Sequence, residues 1–412
     1  MPSLPPVAER FLRYVRYDTQ SAEGVESFPS TEKQKELSRL LVKELKDLGL
    51  DDAAMDDYGY VMATLPGNVE HEVPVIGLIA HVDTSPEVSG AGVNPQIHAN
   101  YDGGPIRLND DHTLTAEHSP ELPANKGNTI ITTDGTTLLG ADNKAGVAEI
   151  MTLIERLRAD ASIKHGTIRV AFTPDEEVGA GTKFFDVDKF GARYAYTVDG
   201  EAPGEVENET FCADSATLTV TGVNVHPGYA KDKLENAIKA AAMFVGLLPR
   251  EMAPETTEKR QGYLHPVSIS GGVEEVVVKM ILRDFDEEPL HEQRKILEAI
   301  ADKVRAAYPK ARLGLEYSES YRNMRFVLDQ HQEVVDRALE AVKRAGIEPF
   351  LNLIRGGTDG ARLCFMGVPT PNLFTGGHLF HSRYEWVAVE AMEQAVETLV
   401  QLVQIWEEKS RA

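Results

Sequence analysis

Cysteine is scarce in this chain: Cys212 and Cys364 are the two in 412 residues. That excludes a disulfide scaffold and a cysteine-built zinc site, and it makes free thiols in a reducing, cytoplasmic compartment the expectation. Long apolar runs are also missing. No stretch approaches the ~18 residues of a membrane span. The opening MPSLPPVAERFLRYVRYDTQS lacks the apolar core of a signal peptide and reads as a proline-marked helix start. Positive charge is the third shortage. Lys and Arg number 42 against 65 Asp and Glu, for a formal charge of −23, with no basic tract. A nucleic-acid partner, which needs a basic surface, is therefore not expected. Most of the surplus acids serve solubility; a metal site uses a handful.

What is present is enough chain for two domains, each with its own core. After the N-terminal helix, residues 31–48 place Leu37, Leu40, Leu41, Leu45 and Leu48 at helical spacing, ended by Gly49. Apolar, β-prone runs follow at 60–65, 74–80, 168–173 and 194–198, with a helix expected over 144–160. Strands alternating with helices predict an α/β domain on a mainly parallel sheet. Between Ala80 and Leu138 the pattern gives way to a long Gly-, Pro-, Asn- and Asp-rich segment, a candidate pocket wall. From about residue 213 the order becomes strand, helix, strand, strand, helix, strand, which is the ferredoxin-like α+β order. Helix-then-strand units resume after SYRNMRF. The expected organisation is a first catalytic segment at 1–212, an inserted ferredoxin-like lid at 213–322, and a second catalytic segment at 323–412.

In open parallel sheets ligands bind beyond the carboxyl ends of the strands, so acids and histidines just after strands are the ones to collect. VIGLIAHVD ends in His81 and Asp83, LLGADNKAG holds Asp142, RVAFTPDEEVG carries Asp175, Glu176 and Glu177, YAYTVDGE ends in Asp199, and TPNLFTGGHLFHS offers His378 and His381. Each has an ordinary reading. His81 and Asp83 suit a metal-bound imidazole steered by a carboxylate, or a plain hydrogen-bonded pair. Asp142 suits a ligand or a helix N-cap, Asp199 a ligand or a turn residue before Gly200, and Asp175 a surface turn, a cap or a structural hydrogen-bond acceptor. Jointly, five strand ends deliver imidazole or carboxylate donors to one edge. That donor chemistry suits zinc, with cobalt or manganese as substitutes, and five side chains suit two ions sharing a carboxylate.

The segments HVD, GADNKAG, TPDEEVG, TVDGE and GGTDGARL, in this order and split by a ferredoxin-like insertion, resemble the co-catalytic dizinc M20 metallopeptidases. The longer stretches HVDTSPEVSGAGVNPQIHANYDGG, TTDGTTLLGADNKAG and MGVPTPNLFTGG are similar to the tripeptide aminopeptidases within that family. The resemblance runs nearly the full length. It implies one Zn2+ held by His81, Asp142 and Asp199, and a second by Asp142, Glu177 and His381, with Asp142 bridging. It also implies Glu176 as general base toward a water bridging the ions, and Asp83 as the acid behind His81. His381 is preferred over His378 because the family pattern uses the later histidine. Asn143 departs from the pattern, since related enzymes more often carry a second Asp there.

The implied activity is removal of the N-terminal residue from tripeptides. His226, in TGVNVHPGYAK of the insertion, resembles the family histidine that steadies the oxyanion. Arg283 in LRDFD and Arg355 in IRGGTDG can each offer a fork to a substrate carboxylate, and Asp359 is the candidate partner for its ammonium group. Domain closure is expected because these groups lie partly on the insertion, and a homodimer through the lid sheet is implied by the family. The competing readings are an M20 amidohydrolase or dipeptidase acting on N-acyl amino acids or dipeptides, and a silent peptide binder. A silent binder has no chemical need for an intact Glu176 and five intact donors.

Overall fold

The computed structural model describes residues 4–411. Among these residues eight strands build the principal sheet, in the order Ala54–Met55, Val61–Leu65, Ile168–Thr173, Ile76–His81, Tyr194–Gly200, Asn372–Phe374, Glu205–Thr210, Phe350–Ile354. Ile168–Thr173, Ile76–His81, Tyr194–Gly200 and Asn372–Phe374 pair in parallel; antiparallel strands flank them. Every residue of Ile76–His81 is buried. Successive side chains of a strand point to opposite faces, so both faces of the sheet are covered here, which is why this segment reads as an unbroken apolar run. Helix Ala141–Ala159 packs on Ile76–His81 and Tyr194–Gly200 and against the closing helix Val389–Glu408. The helix predicted at 31–48 spans Gln34–Asp47, buries Leu37, Leu41 and Leu45, and stops at Gly49, whose φ of +85° is a left-handed exit that suits glycine.

The chain divides into two compact units, Met1–Asn208 with Met324–Leu353 and Thr358–Ala412, and Glu209–Asn323 with Ile354–Gly357. The junctions fall at 208/209 and 323/324, against the 212/213 and 322/323 expected, and residues 354–357 join the smaller unit. The first shift has a local cause. Asn323 accepts the Thr210 N–H and donates to the Glu209 carboxylate, so these residues belong with the insertion before its first strand begins. In the smaller unit the strands lie in the order Tyr263–Gly271, Glu275–Asp284, Cys212–Thr221, Arg312–Tyr321, all neighbours antiparallel, with helices Ala237–Gly246 and Glu287–Ala307 on the two central strands. Val276, Val278, Met280 and Leu282 alternate inward, the pattern of a sheet covered on one face.

The segment expected to be an irregular wall between Ala80 and Leu138 is organised. Gln96–His98 and Ile130–Thr132 join Gly377–His378 and Trp386–Ala388 in a second four-stranded sheet of the larger unit. A separate core of Tyr101, Ile106, Leu114, Leu122, Ile130 and Trp386 supports it. The strands are two or three residues long and come from distant parts of the chain, so no periodicity announces them.

Candidate metal centre

Three adjacent parallel strands deliver donors to one end of the principal sheet. His81 ends its strand, Asp199 lies one residue from the end of the next, and Glu177 sits in the turn after Ile168–Thr173. Asp142 enters from the start of helix Ala141–Ala159, where its φ/ψ of −82°/105° is non-helical. It is not the N-cap. His381 comes from the connection between Gly377–His378 and Trp386–Ala388, in the left-handed region at φ 59°. That conformation is uncommon for a non-glycine residue and recurs at functional sites.

These side chains meet around Asp142. His81 Nε2 lies 2.9 Å from Asp142 Oδ1 and 3.4 Å from Asp199 Oδ1. His381 Nε2 lies 3.1 Å from Asp142 Oδ2 and 2.8 Å from Glu177 Oε2. Two three-donor groups result, His81–Asp142–Asp199 and Asp142–Glu177–His381, each with donor atoms within 4.8 Å of one another. The shared carboxylate turns one oxygen to each group.

Burial pushes the carboxyls of Glu177 and Asp199 up, and the neighbouring Asp142 charge pushes them further, to about 8 and about 6. Burial opposes charge on the two histidines as well. The carboxylates around them prevail, holding His81 well above its usual value and His381 at about 11. The cluster therefore draws in positive charge. Glu177 Oε1 is buried with no hydrogen-bond partner, and Asp199 Oδ1 is buried against the His81 ring at 3.4 Å. An orphaned carboxylate oxygen, two imidazoles and a two-faced carboxylate form a donor set that fits a divalent-metal site.

Two further carboxylates set the loop carrying Glu176 and Glu177. Asp83, wholly buried, accepts the backbone N–H of Glu176 at 3.1 Å and of Glu177 at 3.2 Å, and lies 3.3 Å from His81 Nδ1. It thus orients an imidazole and the acidic turn together. Asp175, for which a surface turn, a cap and a structural hydrogen-bond acceptor were all open, is buried. It accepts from Ser30 N and Oγ, both at 2.5 Å, and from Gln34 Nε2 at 2.6 Å, tying the turn to the N-terminal segment. The surface reading gives way to the acceptor role because neighbouring chain covers the turn. Burial raises the Glu176 carboxyl well above its usual range; His81 opposes this, while Asp359, Asp199 and Glu177 reinforce it. Asp359 is buried, accepts from Thr173 Oγ1 at 2.8 Å, and is pushed to about 7, chiefly by burial.

His378 stays out of the cluster. It stacks on Trp386 at 4.3 Å, and burial pulls it down to about 4. Asn143 is buried with neither amide atom hydrogen-bonded, so the departure from the family pattern brings no new bond to the bridge. The remaining expected residues lie in the smaller unit. His226 is exposed, and its Nδ1 accepts the Gly228 N–H at 3.1 Å, which places the ring proton on Nε2. Arg283 donates through Nη1 to the carbonyls of Asp214 and Leu282. Arg355 donates through both terminal nitrogens to Thr257, Lys259 and Gln261. Its fork grips a loop of the same unit. Glu385 was not singled out in the sequence, although it takes three backbone N–H groups around Asp142. Its one signal is its place four residues after His381.

Comparison with known proteins gives the family. Peptidase T of Halothermothrix orenii is 49% identical over 405 residues, covering 98% of this chain and 99% of the relative. Peptidase T of Clostridium acetobutylicum is 50% identical with the same coverage. The crystal structure of aminopeptidase PepT from Bacillus cereus superposes with a TM-score of 0.75 at 24% identity, covering 98% of both chains. A dinuclear metal binding peptidase of the M20 family from Bacillus subtilis gives 0.64 at 16% identity, again over 98% of both. Residues 132–405 match peptidase family M20/M25/M40, and the chain belongs to that family.

Proposed function

We propose that this protein is a dizinc aminopeptidase that removes the N-terminal residue from tripeptides. The observation that carries the reading is the Asp142 carboxylate, one oxygen beside His81 and the other beside His381, shared by two three-donor groups. The full-length likeness to peptidase T supports the substrate class. His81, Asp142 and Asp199 would hold one ion and Asp142, Glu177 and His381 the other. Bound there, the pair would supply Lewis acidity, making a water easier to deprotonate and a peptide carbonyl easier to attack.

The chain's own groups do the rest. Glu176 takes the proton of the attacking water and passes it to the leaving amine. Asp83 holds the Glu176 and Glu177 amides, and so fixes where the base sits relative to His81. His226, with its proton on Nε2, is the proposed donor to the developing oxyanion, and Arg283 the proposed grip on the substrate carboxylate, with Arg355 a lesser one. Asp359 meets the substrate ammonium group. A homodimer through the ferredoxin-like sheet belongs to the same proposal, supported by exposed Val267 and Ile269 on its edge strand Tyr263–Gly271. So does a cytoplasmic setting, supported by two free, buried cysteines. No helix of the described residues is long and apolar enough to cross a membrane.

Metal analysis together with hydrolysis rates on di-, tri- and tetrapeptides and N-acyl amino acids tests the reading. The expected result is two ions per chain and a clear preference for free tripeptides. A preference for acylated amino acids or dipeptides would replace it with the amidohydrolase or dipeptidase alternative.

A further inference from the structure

The cluster places a further carboxylate beside the bridge without offering it as a donor. Glu385 is 1% exposed. Its Oε2 accepts the backbone N–H of Leu139 at 2.7 Å and of Gly140 at 2.9 Å, and its Oε1 accepts that of Asp142 at 3.0 Å. Both oxygens are thereby committed to the backbone of the turn that presents Asp142.

The position of Glu385 in the chain gives this contact its meaning. Gly377–His378 and Trp386–Ala388 pair antiparallel, Gly377 opposite Val387 and His378 opposite Trp386, and residues 379–385 connect them. His381 sits on that connection and Glu385 at its base. The connection is closed by Ser382, whose Oγ donates to Leu379 O at 2.6 Å and accepts from Tyr384 N at 3.1 Å. Trp386–Ala388 also pairs with Ile130–Thr132, which leads into the Asp142 turn. The two segments approach closely: a Cβ added at Gly377 would lie 3.3 Å from the Ala141 Cβ. One hairpin therefore carries a donor of the second ion's group, and clamps the backbone that carries the shared donor.

We infer that Glu385 is a positioning residue that sets the Asp142 carboxylate against His381, and through that spacing decides how the second ion of the pair is held. The inference rests on the two-ion reading above. It makes Glu385 neither a ligand nor an acid–base group; its work is done through three backbone amides. Substituting Gln keeps the shape but replaces one acceptor oxygen with an NH2 group that faces amide N–H donors, so at least one bond is lost and a donor–donor contact appears.

The test uses the full chain, stripped with a chelator and titrated with Mn(II), read by calorimetry and by electron paramagnetic resonance. The wild-type protein is expected to bind two ions and, at saturation, to show the signal of an exchange-coupled pair. Glu385→Gln is expected to bind the second ion about ten- to hundredfold more weakly, the range typical of groups that orient metal ligands, and to show an altered or absent coupled signal at saturation. The signal at saturation is the decisive readout. Loss of a nearby negative charge weakens affinity but leaves the spacing of two bound ions unchanged. An unaltered coupled signal in Glu385→Gln would overturn the inference while leaving the two-ion reading intact. A wild-type protein without a coupled pair would overturn the two-ion reading itself. Should the Gln variant fail to fold, Glu385→Asp carries the same test: one methylene shorter, it cannot span all three amides, and a wild-type signal from it equally refutes the positioning role.

Discussion

Asp214 and Asp142 are both carboxylates withdrawn from water, one in the ferredoxin-like unit and one in the larger unit. Asp214 has no exposed side-chain surface, and it is surrounded by its own cations. Arg322 Nη1 lies 2.9 Å from Oδ1, Arg294 bonds Oδ2 through Nε at 3.1 Å and through Nη2, and Arg283 donates to the Asp214 carbonyl. Asp142, by contrast, shares its surroundings with Glu177, Asp199, Glu176 and Asp83. The positive partners at its two oxygens are histidines, whose charge depends on the acids around them. A buried carboxylate with arginine partners completes a structure. A buried cluster with more acids than permanent cations and an orphaned carboxylate oxygen calls for charge from outside.

Within the acid-rich region the largest expected effect comes from separating the proposed base from the proposed ligands. Glu176→Gln should lower hydrolysis by about 10²–10⁴-fold, the range for a lost general base, while metal content stays at the wild-type level. Asp142→Ala should remove metal and activity together, because both donor groups share that side chain. Metal analysis beside steady-state rates separates the two behaviours. A Glu176→Gln enzyme that turns over tripeptides at the wild-type rate would dismiss Glu176 as the base.

The arginine-paired region should respond in stability. Asp214→Ala leaves Arg294 and Arg322 without their shared carboxylate, and breaking a buried pair from one side costs about 3–5 kcal/mol. Thermal unfolding should show that loss to the same extent with and without metal, and the folded fraction should bind its ions normally. If chelation abolished the difference between Asp214→Ala and wild type, the two regions would be one energetic unit, and the contrast between them would fail.

What the sequence could and could not reveal follows the same division. His81, Asp142, Glu177, Asp199 and His381 follow strand ends or open a helix, places where a motif is read along the chain, and the structure brings all five together. The βαββαβ order of the smaller unit was legible because long alternating strands and amphipathic helices carry period signals. For Asp175 the choice between surface turn, cap and structural acceptor stayed open because its partners, Ser30 and Gln34, lie more than 140 residues away in sequence. Glu385 and the small sheet around it escaped for a related reason. Strands of two or three residues have no measurable period, and a carboxylate that binds backbone amides leaves no partner side chain to recognise. Local pattern finds the donors; long-range backbone contacts hold them, and those have no one-dimensional trace.

The smallest effect is also the most direct reading of the charge imbalance. In the metal-free protein His81 and His381 are held above the usual histidine value, and Glu177 and Asp199 above the usual carboxylate value, the last three at about 11, about 8 and about 6. All four shifts have the same sign, so the folded chain binds more protons than the unfolded chain, and stability falls as pH rises. The acids' share of that fall ends near the Glu177 value of about 8; the histidines' share begins at their ordinary value and runs on to the His381 value of about 11. Asp142 shifts the other way, below the carboxylate range, and its effect is confined to acid. Chelator-treated protein should therefore lose several degrees of Tm between about pH 6 and about pH 9, and the metal-loaded protein should show a flatter profile because cations take the place of the protons. Equal slopes for the two forms would mean that the cluster's charge is balanced without an ion, and the distinction between the Asp142 and Asp214 regions would vanish.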